Sequence, residues 1–479
     1  MNLRSHIPMA AGCAMLLAGP APARADGARP PAAEAEIVTD TQWARWMDEL
    51  GAEDRDRRET AEADILRHAG VARERIRQAW LAAGDPDIQR RLGRIWGEAR
   101  WRVIPGFTAR DAGPLLGSFG DPELVKAWDE ATDRFGAPLV RVMIEVRRTP
   151  GQTVTAARAF ARMCARLAPP EVAAAVSDVA PIGETAESVK ALLLDAAHPP
   201  ADSIALNRMA DVALALGWHP EALVISREGF ERHDDFPLDP AEAAVRQGGL
   251  EDEAVRQMQS LISDRSNRVT PRTWLFYLRL FERLGLGSRV PADLPSGWVA
   301  VWPPELAREA VQKLVGLGRP ELARRALGPS DSAMTLYLNG YVRSQSDPGA
   351  KAEAAADVGR AVTLARGMDD GGAFLLRMGE WMEQDGRSPE AAWAALLERT
   401  DAASAPAAAS AALRWAERHE RDGRWEDAIR LYERALQTSR RPGASLVLRA
   451  GGRATDGRPA VEAKIRELRM KIQRGDEGR

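Results

Sequence analysis

The sequence predicts an all-α protein, an α-solenoid in which antiparallel helix pairs stack into a superhelix. Three observations predict it. From Thr39 onward apolar residues recur at three- and four-residue spacing, the period of one helix face, with no sustained period-two run. Gly, Pro and Asp punctuate the pattern at intervals of about 10 to 18 residues, as helix ends do. A Gly followed five residues later by Ala recurs from Gly217 to Ala428 with a period of about 34 residues. A single short helix pair cannot bury its own apolar face, so units of this length must stack on neighbours.

Composition bounds the function. The chain has 479 residues, 66 basic against 69 acidic side chains and a net charge of -3, which lacks the basic excess of a nucleic-acid binder. With 45% hydrophobic and 28% charged residues and a mean hydropathy of -0.33 it reads as a soluble globular chain. Two cysteines, Cys13 and Cys164, leave no disulfide framework or cysteine-rich metal site. Lys occurs only six times, so almost all basic residues are Arg. In an Ala-rich chain this is the footprint of GC-rich coding, and Arg abundance is not read as phosphate recognition.

Residues 1–25 read as a secretory signal: Arg4 in a short polar start, an apolar stretch from Ile7 to Ala18, and an A-x-A site at Ala23 and Ala25. Cleavage after Ala25 implies a periplasmic or extracellular protein. Ala10-Ala11-Gly12-Cys13 resembles the end of a lipoprotein box, the alternative that would anchor the chain through Cys13, but the apolar residues fall mainly after that cysteine. No later stretch reaches the roughly 18 uncharged apolar residues of a membrane span. Residues 26–39, with Gly27 and Pro30-Pro31, form a flexible lead-in.

Residues 40–104 have their own grammar. Asp54, Asp56, Arg58 and Glu59 precede an apolar run of Ile65, Leu66, Ile76 and Trp80, and Asp85-Pro86-Asp87 precedes Arg90-Arg91. This segment resembles a HEAT repeat, in the HEAT/armadillo class. The resemblance implies that the Asp caps a second helix and that Arg residues pair with acids of the next repeat in a ladder. Residues 105–120, rich in Gly and Pro, form the expected linker, and 121–199 continue as helices that fit neither repeat pattern.

Over residues 200–442 the Gly/Ala pairs are Gly217/Ala222, Gly249/Ala254, Gly287/Ala292, Gly318/Ala323, the degenerate Asp347/Ala352, Gly386/Ala391 and Gly423/Ala428. The Gly closes a turn that needs a left-handed backbone and the Ala lets two helices approach closely. In the last unit Ala416, Gly423, Trp425, Ala428, Tyr432 and Ala435 complete the pattern, and here the chain resembles the tetratricopeptide (TPR) family. In 443–479, Val461, Ile465, Leu468 and Ile472 form the apolar stripe of a capping helix, followed by a tail.

No nucleophile elbow, phosphate loop, zinc-protease or haem motif is present, and no two histidines share the spacing of a helix-borne metal pair. Neither a cofactor nor a metal site is expected, and the chain reads as non-catalytic. In the resembled family, first-helix residues line a concave groove. Counting from Gly340, Gly379 and Ala416 places Tyr337, Tyr341, Glu380, Glu383, Glu417 and Glu420 there, an acidic groove with two tyrosines. The expected function is an exported scaffold that binds a protein or an extended peptide. A cell-wall or glycan-active enzyme on a helical superhelix and a self-assembling envelope component are the alternatives. Export is checked by intact-mass analysis of protein recovered from its native host. It should begin at Asp26, whereas a lipidated Cys13 would replace secretion with anchoring.

Overall fold

The structure, a computed structural model, describes residues 38–178, 183–198, 202–263, 270–329, 331–441, 446–450 and 453–475. The expected signal sequence, Cys13 and nearly all of the lead-in lie outside the described residues. Among the described residues there are 24 α-helices and one two-stranded hairpin. No helix among them is long and apolar enough to cross a membrane. The chain divides into two compact units, Met1–Leu116 and Gly117–Arg479.

The first unit contains α1 (Asp40–Leu50), α2 (Arg55–Arg67), α3 (Ala69–Ala82), α4 (Pro86–Ala99) and the single turn α5 (Ala109–Ala112). Side-chain caps start α1, α2 and α4. Gln42 N donates to Thr39 Oγ1 at 3.2 Å while Thr39 N donates to Gln42 Oε1 at 2.8 Å, a reciprocal box. Asp54 accepts from Asp56 N at 2.8 Å, and Asp85 accepts from Asp87 N at 2.7 Å with Pro86 opening α4. The core is one cluster that includes Trp46, Leu50, Ile65, Ile76, Leu92 and Ile95, with Trp43 and Met47 packed against it. Each large aliphatic side chain so buried contributes about 1.5–3 kcal/mol. Across the helix pairs, Arg94 on α4 holds Glu62 on α2 through a fork whose Nε bond is 2.8 Å. Phe107, Ala112 and Leu115, in the Gly- and Pro-rich stretch before the second unit, are buried.

The second unit begins with α6 (Pro122–Phe135), α7 (Val140–Arg147), α8 (Thr153–Arg166), α9 (Pro169–Ser177) and α10 (Gly183–Ala197). Helix α8 is its hub. Small residues Ala156, Ala157, Ala159 and Ala161 bury it almost all round, so α7, α10 and the helix at Ser203–Ala215 can all reach it. Cys164 sits in this core, and burial pushes its thiol far above the ordinary range, the environment of an inert side chain.

The stack continues as α11 (Ser203–Ala215), α12 (His219–Arg232), α13 (Asp239–Gly248), α14 (Glu251–Ser263), α15 (Pro271–Leu284), α16 (Pro304–Gly316), α17 (Pro320–Leu327), α18 (Ala333–Ser346), α19 (Lys351–Gly367), α20 (Gly371–Gln384), α21 (Glu390–Leu397), α22 (Ala405–Arg421) and α23 (Trp425–Thr438). Gly217, Gly249, Gly318, Gly386 and Gly423 hold φ between 60° and 73° at the turns, where a Cβ would be strained. Ala222, Ala254, Ala323 and Ala428 are fully buried on the second helices. The first helices contribute small residues too. A Cβ on Gly340 would stand 2.8 Å from the Ala354 carbonyl oxygen, and one on Gly379 would collide with the Trp393 indole.

Three units depart from the expected register. After α15 the left-handed residue is Gly285, not Gly287, and residues 285–303 carry a 3₁₀ turn in place of a second α-helix, leaving Ala292 exposed. Pro291 and Pro295 prevent a helix there. At Asp347 the backbone is extended and a 3₁₀ turn delays α19, so Ala354 is buried and Ala352 exposed. Ser388-Pro389 lengthens the turn before α21, which moves the packing position from Ala391, exposed, to Ala392, fully buried. His419 is a core histidine stacked on Trp415, and burial holds its imidazole below the ordinary value.

A short antiparallel hairpin follows, β1 (Val447–Ala450) with β2 (Arg453–Asp456), and then α24 (Arg458–Gln473). Four-residue strands are too short to leave a period-two signal. Val461, Ile465 and Leu468 of α24 are buried against Ala428, Tyr432 and Ala435 of α23, closing the stack with Ile472 at the margin.

Arginines tie the carbonyl ends of helices to later, non-adjacent parts of the stack. Arg208 donates to the Leu167 carbonyl at the end of α8 (3.1 Å), Arg232 to Ala197 at the end of α10 (2.6 Å) and Arg434 to Leu397 at the end of α21 (3.1 Å). Arg399, between α21 and α22, donates to Arg366 and Met368 carbonyls at the end of α19 (2.7 and 2.8 Å) and to Ser404 Oγ (2.7 Å). These carbonyls have no partner within their own helix. The packing predicts that Ala428→Leu and Ala392→Leu overpack and cost about 1–3 kcal/mol each. Exposed Ala391→Leu and Arg430→Leu should shift denaturant midpoints little. Equal shifts in all four variants would contradict this register.

Candidate functional site

The six site residues expected from the sequence lie on three successive first helices, and the structure treats the two halves differently. On α20 and α22 the glutamates form a ladder. Glu380 meets Arg414 at 2.9 Å and Glu383 meets Arg421 at 3.3 Å, each pair joining α20 to α22. Glu420 accepts from Lys464 Nζ of α24 at 2.7 Å and from the Tyr432 hydroxyl at 3.0 Å. Glu417 is exposed on α22 between Arg414 and Arg421, with no ion pair within 4 Å among the described residues. Partial desolvation raises its carboxyl above the ordinary value against the pull of both arginines, with Glu420 and Glu383 adding to the rise. The face is therefore a strip of alternating charge, with three of its four glutamates already partnered by basic side chains.

Tyr337 is a correction. Expected as a flat contact open to the groove, it is fully buried on α18. Its hydroxyl donates to Asp385 Oδ2 at 3.1 Å and its ring lies 5.5 Å from Trp381. Burial, then the Asp385 charge, pushes its phenol far above the ordinary value. Tyr341, one turn on, is half-buried, with the Arg387 guanidinium 5.8 Å from its ring.

The cause is a set of side chains that the sequence reading did not select. Arg308 on α16 donates to Gln384 Oε1 at 2.7 Å and to Asp385 Oδ1 at 2.8 Å, just past the end of α20. Gln312, one turn along α16, adds a 3.3 Å bond to the same oxygen. The Arg308 and Asp385 side chains are 12% and 6% exposed, a buried ion pair whose carboxylate has three donors. Nearer the surface Glu305 accepts from Arg377 Nε at 2.6 Å and from Trp381 Nε1 at 3.1 Å. Helices α16 and α20 belong to units two apart, and these side chains meet across α18. Both α20-side members, Trp381 and Asp385, touch Tyr337 and cover it.

Among the described residues no group of three or more His, Cys, Asp or Glu is disposed to hold a metal ion. No protein-family model matches the chain, and no curated protein matches its sequence.

The contrast between buried and surface charge gives a test. Asp385→Ala strands a buried guanidinium and should cost about 3–5 kcal/mol. Glu380→Gln removes one partly exposed rung and should stay within about 1 kcal/mol. Urea unfolding of both variants checks this, and similar midpoints would overturn the distinction.

Proposed function

We propose that the chain is an exported, non-catalytic α-solenoid, HEAT-like at its start and TPR-like after about residue 200, that works as a protein-interaction scaffold. The face it uses is the strip formed by α20 and α22, and its ligand is a basic or neutral extended peptide segment. One observation carries the reading. Four glutamates on neighbouring first helices stand in register, and Glu417, exposed between two arginines, has no ion pair of its own. A cationic group of a ligand meets there a carboxylate that gives up no existing ion pair.

The rungs on either side favour the same use. Exposed ion pairs contribute only about 0–1 kcal/mol, so exchanging Arg414 or Arg421 for a ligand cation costs the fold little. An extended peptide also brings a side chain to the same face at every second residue, suited to a strip whose charges alternate. Tyr341 supplies the aromatic contact at the α18 end, while Tyr337 is withdrawn from the surface.

The test uses synthetic lysine-rich, neutral and acidic peptides and fluorescence polarisation at several salt concentrations. The intact protein should prefer the lysine-rich peptide. Replacing Glu380, Glu383, Glu417 and Glu420 together by Gln should weaken that binding and flatten its salt dependence, because exposed charges interact over a screening length of about 8 Å at physiological salt. Undiminished affinity and salt response in the quadruple variant would refute the strip as the docking face.

A further inference from the structure

We propose that the two side-chain bridges from α16 to α20 form a latch that holds the face over α18 closed, so that Tyr337 becomes reachable, and the half-buried Tyr341 more fully so, only when it opens. Stacked helix pairs ordinarily touch their immediate neighbours alone. Here residues 76 and 77 positions apart bond directly, Glu305 with Trp381 and Arg308 with Asp385, and the unit they skip is the one they cover.

The latch is graded from rim to interior. Glu305 and Arg377, its outer pair, are 57% and 38% exposed, so water competes for both and the pair opens at small cost. Behind it Arg308 and Asp385 are nearly dry. A buried pair gains much of its Coulomb energy back only against the desolvation of both ions, so apolar side chains of similar volume would hold α16 to α20 at least as well. What the ion pair adds is a discrete alternative. With the outer pair broken and water admitted, Arg308 and Asp385 regain hydration, and the open arrangement is a state of its own instead of a torn core.

What lies beneath also fits a covered surface better than a packing layer. Tyr341 is half-buried with Arg387 beside its ring, Arg387 donates to Ser344 Oγ, and Gln312 reaches Asp385. These groups are polar and aromatic, the composition of a contact surface. The consequence for ligand binding rests on the reading that peptides dock along the first helices, since an open latch would extend the α20–α22 strip onto α18. The latch itself is independent of that reading.

The experiment is hydroxyl-radical footprinting of the full chain, read by mass spectrometry at its four tyrosines, Tyr277, Tyr337, Tyr341 and Tyr432. Tyr277 and Tyr432 are buried elsewhere in the stack and report general loosening. Glu305→Gln, the mild variant, and Glu305→Gln with Arg308→Gln should raise labelling of Tyr337 about tenfold and Tyr341 less, with Tyr277 and Tyr432 unchanged. Glu309→Gln, which breaks the Arg279 pair between α15 and α16, should leave all four as they are. Two results overturn the latch. Tyr337 could stay protected in the variants, or all four tyrosines could gain together, which would make the bridges ordinary contributors to global stability. Binding of the lysine-rich peptide separates the two proposals. Tighter binding by the opened variants supports a latch that restrains binding, and equal affinity refutes that restraint. Absence of binding to every variant refutes the docking strip, with the tyrosine pattern still deciding the latch.

Discussion

The interaction on which this stack depends is the arginine that closes the carbonyl end of a helix in an earlier unit. Short helices make many ends, and each leaves its last carbonyls without intrahelical partners. In a solenoid those ends lie against other units, which shield several of them in part from water. Arg208, Arg232, Arg399 and Arg434 answer this with donors carried on long stems from one unit to another. Arg399 shows why lysine would not serve. Its planar fork reaches Arg366, Met368, Asp401 and Ser404 at once while only 12% exposed, whereas an ammonium is a compact point charge with three donors. The favourable direction of the helix dipole strengthens each such contact. The Arg-for-Lys bias of the composition thus has a structural use, whatever its origin in coding.

With the ends held, how closely helices approach is decided by residues that lack side-chain bulk. Gly379 accepts the Trp393 indole against its backbone and Gly340 accepts α19. This is why the helical pattern and most of the turn glycines were legible from the sequence: backbone conformation and close approach leave residue-specific marks at fixed spacing. The departures are equally local. Pro389 moves the packing alanine by one position, and the prolines at 291 and 295 remove a helix. Each is a turn-length effect that shifts everything after it, and a period averaged over seven units smooths it away. The β1–β2 hairpin escaped for a related reason, since four residues per strand are fewer than an alternation needs to stand out.

The candidate site was less legible than the fold. Phase along a helix told which residues of α18, α20 and α22 share a face, and the ladder of Glu380, Glu383 and Glu420 lies on that face. Phase alone says nothing of what stands opposite. Phase puts Tyr337 on the open surface because Arg308 and Asp385, 77 positions apart, carry no mark in the sequence of belonging together. A charged residue just before a turn glycine, as Asp385 is before Gly386, reads as an ordinary solvated helix end. Only the packing of the intervening unit brings the two to 2.8 Å.

Charge in this protein therefore does two kinds of work, separated by burial. On the partly exposed strip each rung is worth about 0–1 kcal/mol, so its ion pairs orient side chains without locking them. Across α18 the same chemistry is dry, and losing one partner leaves a charge whose desolvation is no longer offset. A single helix, α20, carries both kinds. Glu380 and Glu383, partly exposed, pair with α22, while Trp381 and the C-terminal Asp385 reach toward α16. Any movement that separates α20 from α16 therefore also moves two rungs of the strip, and a ligand bound along α22, as proposed, would act on the bridge through the same helix. Coupling between the two faces needs no longer path than the turn and a half of α20 between Glu380 and Asp385.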